Sequence, residues 1–99
     1  MLHLFGVDHD YEAVLQRCLD SLAADDTLVL IGCAARLAFN VDITRLHARS
    51  DTNNRYAVCV MQEDIQRLNL PPPPTTVTAL TANQLVDLAC QHNSSQTWY

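Results

Sequence analysis

Four cysteines, Cys18, Cys33, Cys59 and Cys90, are the side chains on which chemistry could hang. They stand far apart and none forms a C-x-x-C pair, the spacing that a zinc knuckle or a dithiol redox motif uses. All four lie inside apolar periodic segments, which suits reduced, buried thiols better than a disulfide framework. Cys59 alternates within an apolar run and Cys90 lies near an apolar helical stripe, so both read as core or its boundary. Cys33 follows Gly32 at the carboxyl end of an apolar run, where open α/β sheets place ligand sites. Cys18 sits in the middle of a helix, on its apolar side. A reactive thiol needs partial exposure and a nearby positive group or helix amino end, so a core role suits Cys18 from its spacing alone.

The other reactive residues do not converge. His3, His9, His47 and His92 are dispersed, and no metal site is expected. Asp8-His9-Asp10 reads as a solvated loop, and Ser94-Ser95 lacks the glycines of a nucleophile elbow. The chain has no lysine, which removes a phosphate-loop lysine, a Schiff base and a lysine general base. Its two glycines, Gly6 and Gly32, cannot build a phosphate cradle, and no cofactor is expected. The net charge of -5 argues against direct nucleic-acid binding. Arg36, Arg45, Arg49 and Arg55 crowd one stretch, which reads as a solvated segment.

These residues must be positioned by the chain around Tyr11 to Ile31. Tyr11, Val14, Leu15, Cys18, Leu19 and Leu22 recur at spacings of three and four and predict an amphipathic helix. Asp8 or Asp10 is placed to cap it. Asp25-Asp26 then breaks the pattern, and Thr27 to Ile31 forms a continuous apolar run, the signature of a strand covered on both faces. Met1 to Phe5 precedes as a first strand, with His3 turned to the face opposite Leu2 and Leu4. Gly32 to Phe39 favours helix. Asp42 can cap a short helix carrying Ile43 and Leu46, and residues 50–54 form a polar loop.

Tyr56 to Met61 predicts another buried strand and Gln62 to Leu68 two helical turns, closed by Asn69 as a left-handed cap. Pro71 to Pro74 is a stiff extended connector. Thr75 to Leu80 reads as the last strand, and Thr81 or Asn83 caps a final helix with the stripe Leu85, Val86, Leu88 and Ala89. Order is expected to fade after His92, although Trp98 and Tyr99 end the tail with two large aromatics that should pack somewhere. The alternation predicts a single small domain over residues 1–99, an α/β fold with a mainly parallel sheet and helices on both faces. The apolar fraction of 48% suffices for one small core. No run is long enough to span a bilayer, and the apolar start is too short for a signal sequence.

The ordered set of segments resembles the DsrH/TusB family, the smallest subunit type of the sulfur-relay complexes DsrEFH and TusBCD. The opening Met1-Leu2-His3 is similar to the family's start. Cys18-Leu19, Asp26 and Leu28 to Ile31 resemble its helix, acidic turn and buried strand. Glu63-Asp64-Ile65 through Leu70 is similar to its "E-D-L-x-A-R-G-L", with Asn69 in place of glycine. Leu85-Val86-x-Leu88 and Trp98 resemble its last helix and near-terminal tryptophan. Cys33-Ala34 stands where the family often has Asp-Gly, and the first loop lacks its Ser-Pro.

The resemblance implies a DsrE/F/H-like fold and a cytoplasmic, mainly structural subunit of a TusBCD-type heterohexamer that passes persulfide sulfur towards 2-thiouridine at the tRNA wobble position. Its expected partners are TusC/DsrF-like and TusD/DsrE-like subunits, with no membrane. Cys18 becomes the candidate persulfide carrier, accessory to the partner's principal cysteine. Trp98 and Tyr99 are candidate partner-binding residues. Two alternatives stay open: a DsrH-type subunit of dissimilatory sulfur oxidation, and a small stand-alone sulfurtransferase using Cys18 or Cys33.

Overall fold

The computed structural model describes residues 1–7, 9–23, 25–39, 57–74 and 77–98. The predicted short helix at Asp42, the polar loop at 50–54, the two arginines Arg45 and Arg49 with Arg55, and the strand start at Tyr56 lie outside the described residues.

Five parallel strands form one sheet: β1 (Leu2–Phe5), β2 (Thr27–Leu30), β3 (Ala57–Met61), β4 (Thr78–Leu80) and β5 (Ser95–Trp98), in the order β4-β3-β2-β1-β5. Leu2 pairs with Thr27 on one side and Ser95 on the other, and Phe5 with Leu30 and Trp98. All four residues of β2 are buried, as its unbroken apolar run requires of a central strand.

The first four strands step across the sheet in one direction, and β5 returns to the far side of β1. Crossovers of one hand then put the earlier helices on one face and the last on the other. The packing follows that rule. On one face Phe5, Leu28, Leu30, Val58 and Val60 pack with Leu15, Cys18 and Leu19 of α1 (Glu12–Ser21), with Ala34, Ala35 and Leu37 of a 3₁₀ helix (Gly32–Ala38), and with Ile65 of α2 (Gln62–Arg67). On the other, Leu2, Val29, Cys59, Met61 and Leu80 meet Leu85 and Leu88 of α3 (Ala82–Gln91). The domain is therefore an α/β fold with helices on both faces of the sheet.

Local signals act where they were expected. Asn69 adopts a left-handed φ of 55°, its N–H bonds Gln66 O, and the Leu70 N–H reaches back to Ile65 O at 2.9 Å. This pair of bonds is the Schellman closure of α2. Thr81 opens α3 with a reciprocal capping box: the Gln84 N–H bonds Thr81 Oγ1 at 3.2 Å, and the Thr81 N–H bonds Gln84 Oε1 at 2.8 Å.

Two expectations are corrected. Thr78–Leu80 is not the last strand, and order does not fade after His92: Ser95–Trp98 adds a fifth strand at the β1 edge. Ser95, Gln96 and Thr97 show no apolar alternation, because an edge strand with exposed side chains is recruited through its backbone and not through burial. The residue preceding α1 is Tyr11, without a side-chain cap, while Asp10 takes a left-handed φ of 49°. The helix expected from Gly32 onward forms over Gly32–Ala38 with 3₁₀ winding, entered through Gly32 at φ 58°. No helix among the described residues is long and apolar enough to cross a membrane.

Candidate functional site

The side chains capable of chemistry gather at opposite ends of the strands. At the amino ends, β1 carries His3 inward, where it is 1% exposed. Its Nε2 lies 3.1 Å from Asp26 Oδ2, in the turn that feeds β2. On the other side, Trp98 Nε1 of β5 donates to His3 Nδ1 at 3.2 Å, and the two rings stack with centroids 6.3 Å apart. The parallel register forces this meeting, since His3 and Trp98 stand on neighbouring strands two residues apart on one face.

Asp26 is itself buried and fully engaged. Its Oδ1 accepts the Met1 amino group at 2.7 Å, and its Oδ2 accepts the Ala23 N–H at 3.0 Å as well as His3. Burial pushes this carboxyl up, but the hydrogen bonds from Met1, Ala23 and His3, with the positive charge of the amino group, outweigh it and hold Asp26 below the usual carboxylate range. Beside it, Thr27 Oγ1 lies 3.2 Å from His92 Nε2. An open cleft of about 560 Å³ runs past Met1, Asp25, Asp26, Thr27, His92 and Ser94.

At the carboxyl end of β2, Gly32 donates its N–H to Asp64 Oδ2 at 2.8 Å, and Arg67 Nη2 donates to Asp64 Oδ1 at 3.1 Å. One carboxylate of α2 thus ties down the 3₁₀ turn and holds a guanidinium. Asp64 is the main cause that raises Arg67 further above the ordinary guanidinium range, and the adjacent Cys33 sulfur adds to it. Cys33 is half-buried there. Among the described residues near the sheet ends, Cys33 is the cysteine with a guanidinium as neighbour.

Cys18, the candidate carrier, lies between these ends on α1, and the structure encloses it completely at 0% exposure. Burial pushes its thiol up to about 12. A thiol in that state is protonated at neutral pH and meets no donor without local opening. Cys59 is also buried and its thiol raised by burial, while Cys90 is exposed on α3. Trp98 folds back on its own sheet, half-buried against His3, and Tyr99 lies outside the described residues. Among the described residues no group of three His, Cys, Asp or Glu side chains could hold a metal ion.

The His3–Asp26–Trp98 chain was not legible in advance, since its members are separated by 23 and 95 residues. One signal pointed towards it: a histidine alternating with leucines in a strand must be buried with a polar partner. No protein-family model matches the chain, and no curated protein matches it.

Proposed function

We propose that this chain is a mainly structural, cytoplasmic subunit of a TusBCD-type sulfur-relay complex that supports 2-thiolation of the tRNA wobble uridine, seated against TusC/DsrF-like and TusD/DsrE-like subunits. The segments from Met1-Leu2-His3 to Trp98 that resemble the DsrH/TusB family support this reading, and the parallel α/β fold agrees with the one that resemblance implies.

The observation that carries it is the thin cover on one face of the sheet. Among the described residues, α3 is the helix that packs on that face, and none of its ten residues is buried. Val86 is 61% exposed, and Leu4, Ile31, Leu85 and Leu88 are only partly covered around the small cluster of Leu2, Val29, Cys59, Met61 and Leu80. Apolar surface of this kind serves assembly better than catalysis. Cys18, enclosed in the core of the opposite face, suits a structural part more than a carrier, and the principal sulfur-accepting cysteine then belongs to a partner.

Co-expression with TusC- and TusD-type subunits, followed by light scattering, tests the proposal. The expected result is a stable complex containing all three chains, weakened by Val86→Asp. A chain that remains separate from both partners contradicts it.

A further inference from the structure

The Trp98 indole has a donor and no acceptor. His3 Nδ1, 3.2 Å from Trp98 Nε1, must therefore accept and carry no proton. The single proton of the neutral ring then sits on Nε2 and is donated to Asp26 Oδ2. The contact with Trp98 exists only while His3 is neutral. A second proton can go only to Nδ1, where it faces the indole N–H, and the hydrogen bond is lost. The resulting imidazolium is held inside by the Asp26 carboxylate.

We propose that His3 is a pH-sensitive latch on β5. Uptake of a proton from water at Nδ1 releases Trp98 and loosens the terminal edge strand, while the pair with Asp26 keeps β1 joined to the turn before β2.

The composition of β5 makes one contact decisive. Ser95, Gln96 and Thr97 are exposed, so Trp98 is the side chain that fastens the strand to the core. Its remaining ties are backbone bonds to β1, including Leu2 N–H to Ser94 O and Gly6 N–H to Trp98 O. Among the described residues, the groups around His3 leave the switch to it. Asp26 faces Nε2 and carries the Met1 amino group on its other oxygen. On the same face α1 turns Leu15, Cys18 and Leu19 inward, and Cys18 stays protonated; Glu12, Arg17 and Asp20 of α1 and Arg36 of the 3₁₀ helix are exposed. On the opposite face His92 of the segment after α3 meets Thr27 and is the second histidine to control for.

Trp98 is the single tryptophan of the chain, so its fluorescence reads this contact directly. The test follows emission and amide exchange of the full chain between about pH 8 and pH 5, the range in which histidine titrates, with exchange corrected for its intrinsic pH dependence. The latch predicts a one-proton change in Trp98 emission and exchange at residues 95–98 faster by about tenfold or more, the scale of one lost hydrogen bond with a stranded donor, while β2 stays protected. The transition disappears in His3→Gln and persists in His92→Gln. If His3→Gln does not fold, nitrogen chemical shifts of the wild-type imidazole decide: at pH 8 they must show the Nε2–H tautomer. A proton on Nδ1 at pH 8, a pH-independent β5, or a transition that follows His92 overturns the latch.

Discussion

Trp98 Nε1 and His3 Nδ1 meet at 3.2 Å across 95 residues of sequence, joining the last strand of the sheet to the first. The tail is thereby an edge of the domain. Trp98→Ala removes the one apolar side chain of β5 and strands the His3 acceptor. The expected loss is about 2 kcal/mol of unfolding free energy, the scale of a half-buried aromatic, read as a lower urea midpoint. An unchanged midpoint would mean that the backbone ladder alone holds β5.

Asp26 makes stability depend on acid. Its carboxyl is held below the ordinary value in the folded chain, so it contributes stability that is fully present above the unfolded value near 4 and is lost as pH falls through the folded value. Asp26→Asn should flatten the acid limb of the urea-midpoint profile, and Asp26→Ala should cost roughly 3 kcal/mol or more at neutral pH, because His3 and the Met1 amino group lose a buried partner. A variant with the wild-type acid limb would place the titrating group elsewhere.

The cysteines should separate by reactivity. In the native chain an aromatic disulfide reagent should modify exposed Cys90 first and half-buried Cys33 next, while Cys18 and Cys59 react only on unfolding. Cys18 adds an alkaline limb of the opposite sign. Its thiol rises from 9.0 to about 12 on folding, so its contribution is present below 9 and is lost as pH climbs towards 12. Cys18→Ser, which buries a hydroxyl among Leu15, Leu19 and their neighbours, should cost about 1–3 kcal/mol. Rapid native labelling of Cys18 would contradict its enclosure.

Much of the fold was legible because its signals are local. The stripe Leu15, Cys18 and Leu19, the run Thr27 to Leu30, Asn69 at its left-handed position and Thr81 with Gln84 each act within a few residues. What escaped depends on distant pairing. Ser95 to Thr97 become a strand because β1 offers an open edge, and Asp26 becomes a buried hub because His3 and Met1 are brought over it by the β1–β2 register. The site around Cys33 was half legible: Gly32-Cys33 at a strand's carboxyl end marked the position, but nothing local announced that Asp64 would hold Arg67 beside it.

In the proposed sulfur relay this chain is a structural subunit, and Cys18 stays enclosed in its core. The most direct measurement is intact-mass and peptide spectrometry of the assembled three-subunit complex after exposure to a persulfide donor. The expected result is an added sulfur atom on a partner's cysteine and none on Cys18, with tRNA thiolation retained in a Cys18→Ala complex that still assembles. An added sulfur on Cys18, together with loss of thiolation in a fully assembled Cys18→Ala complex, would contradict it.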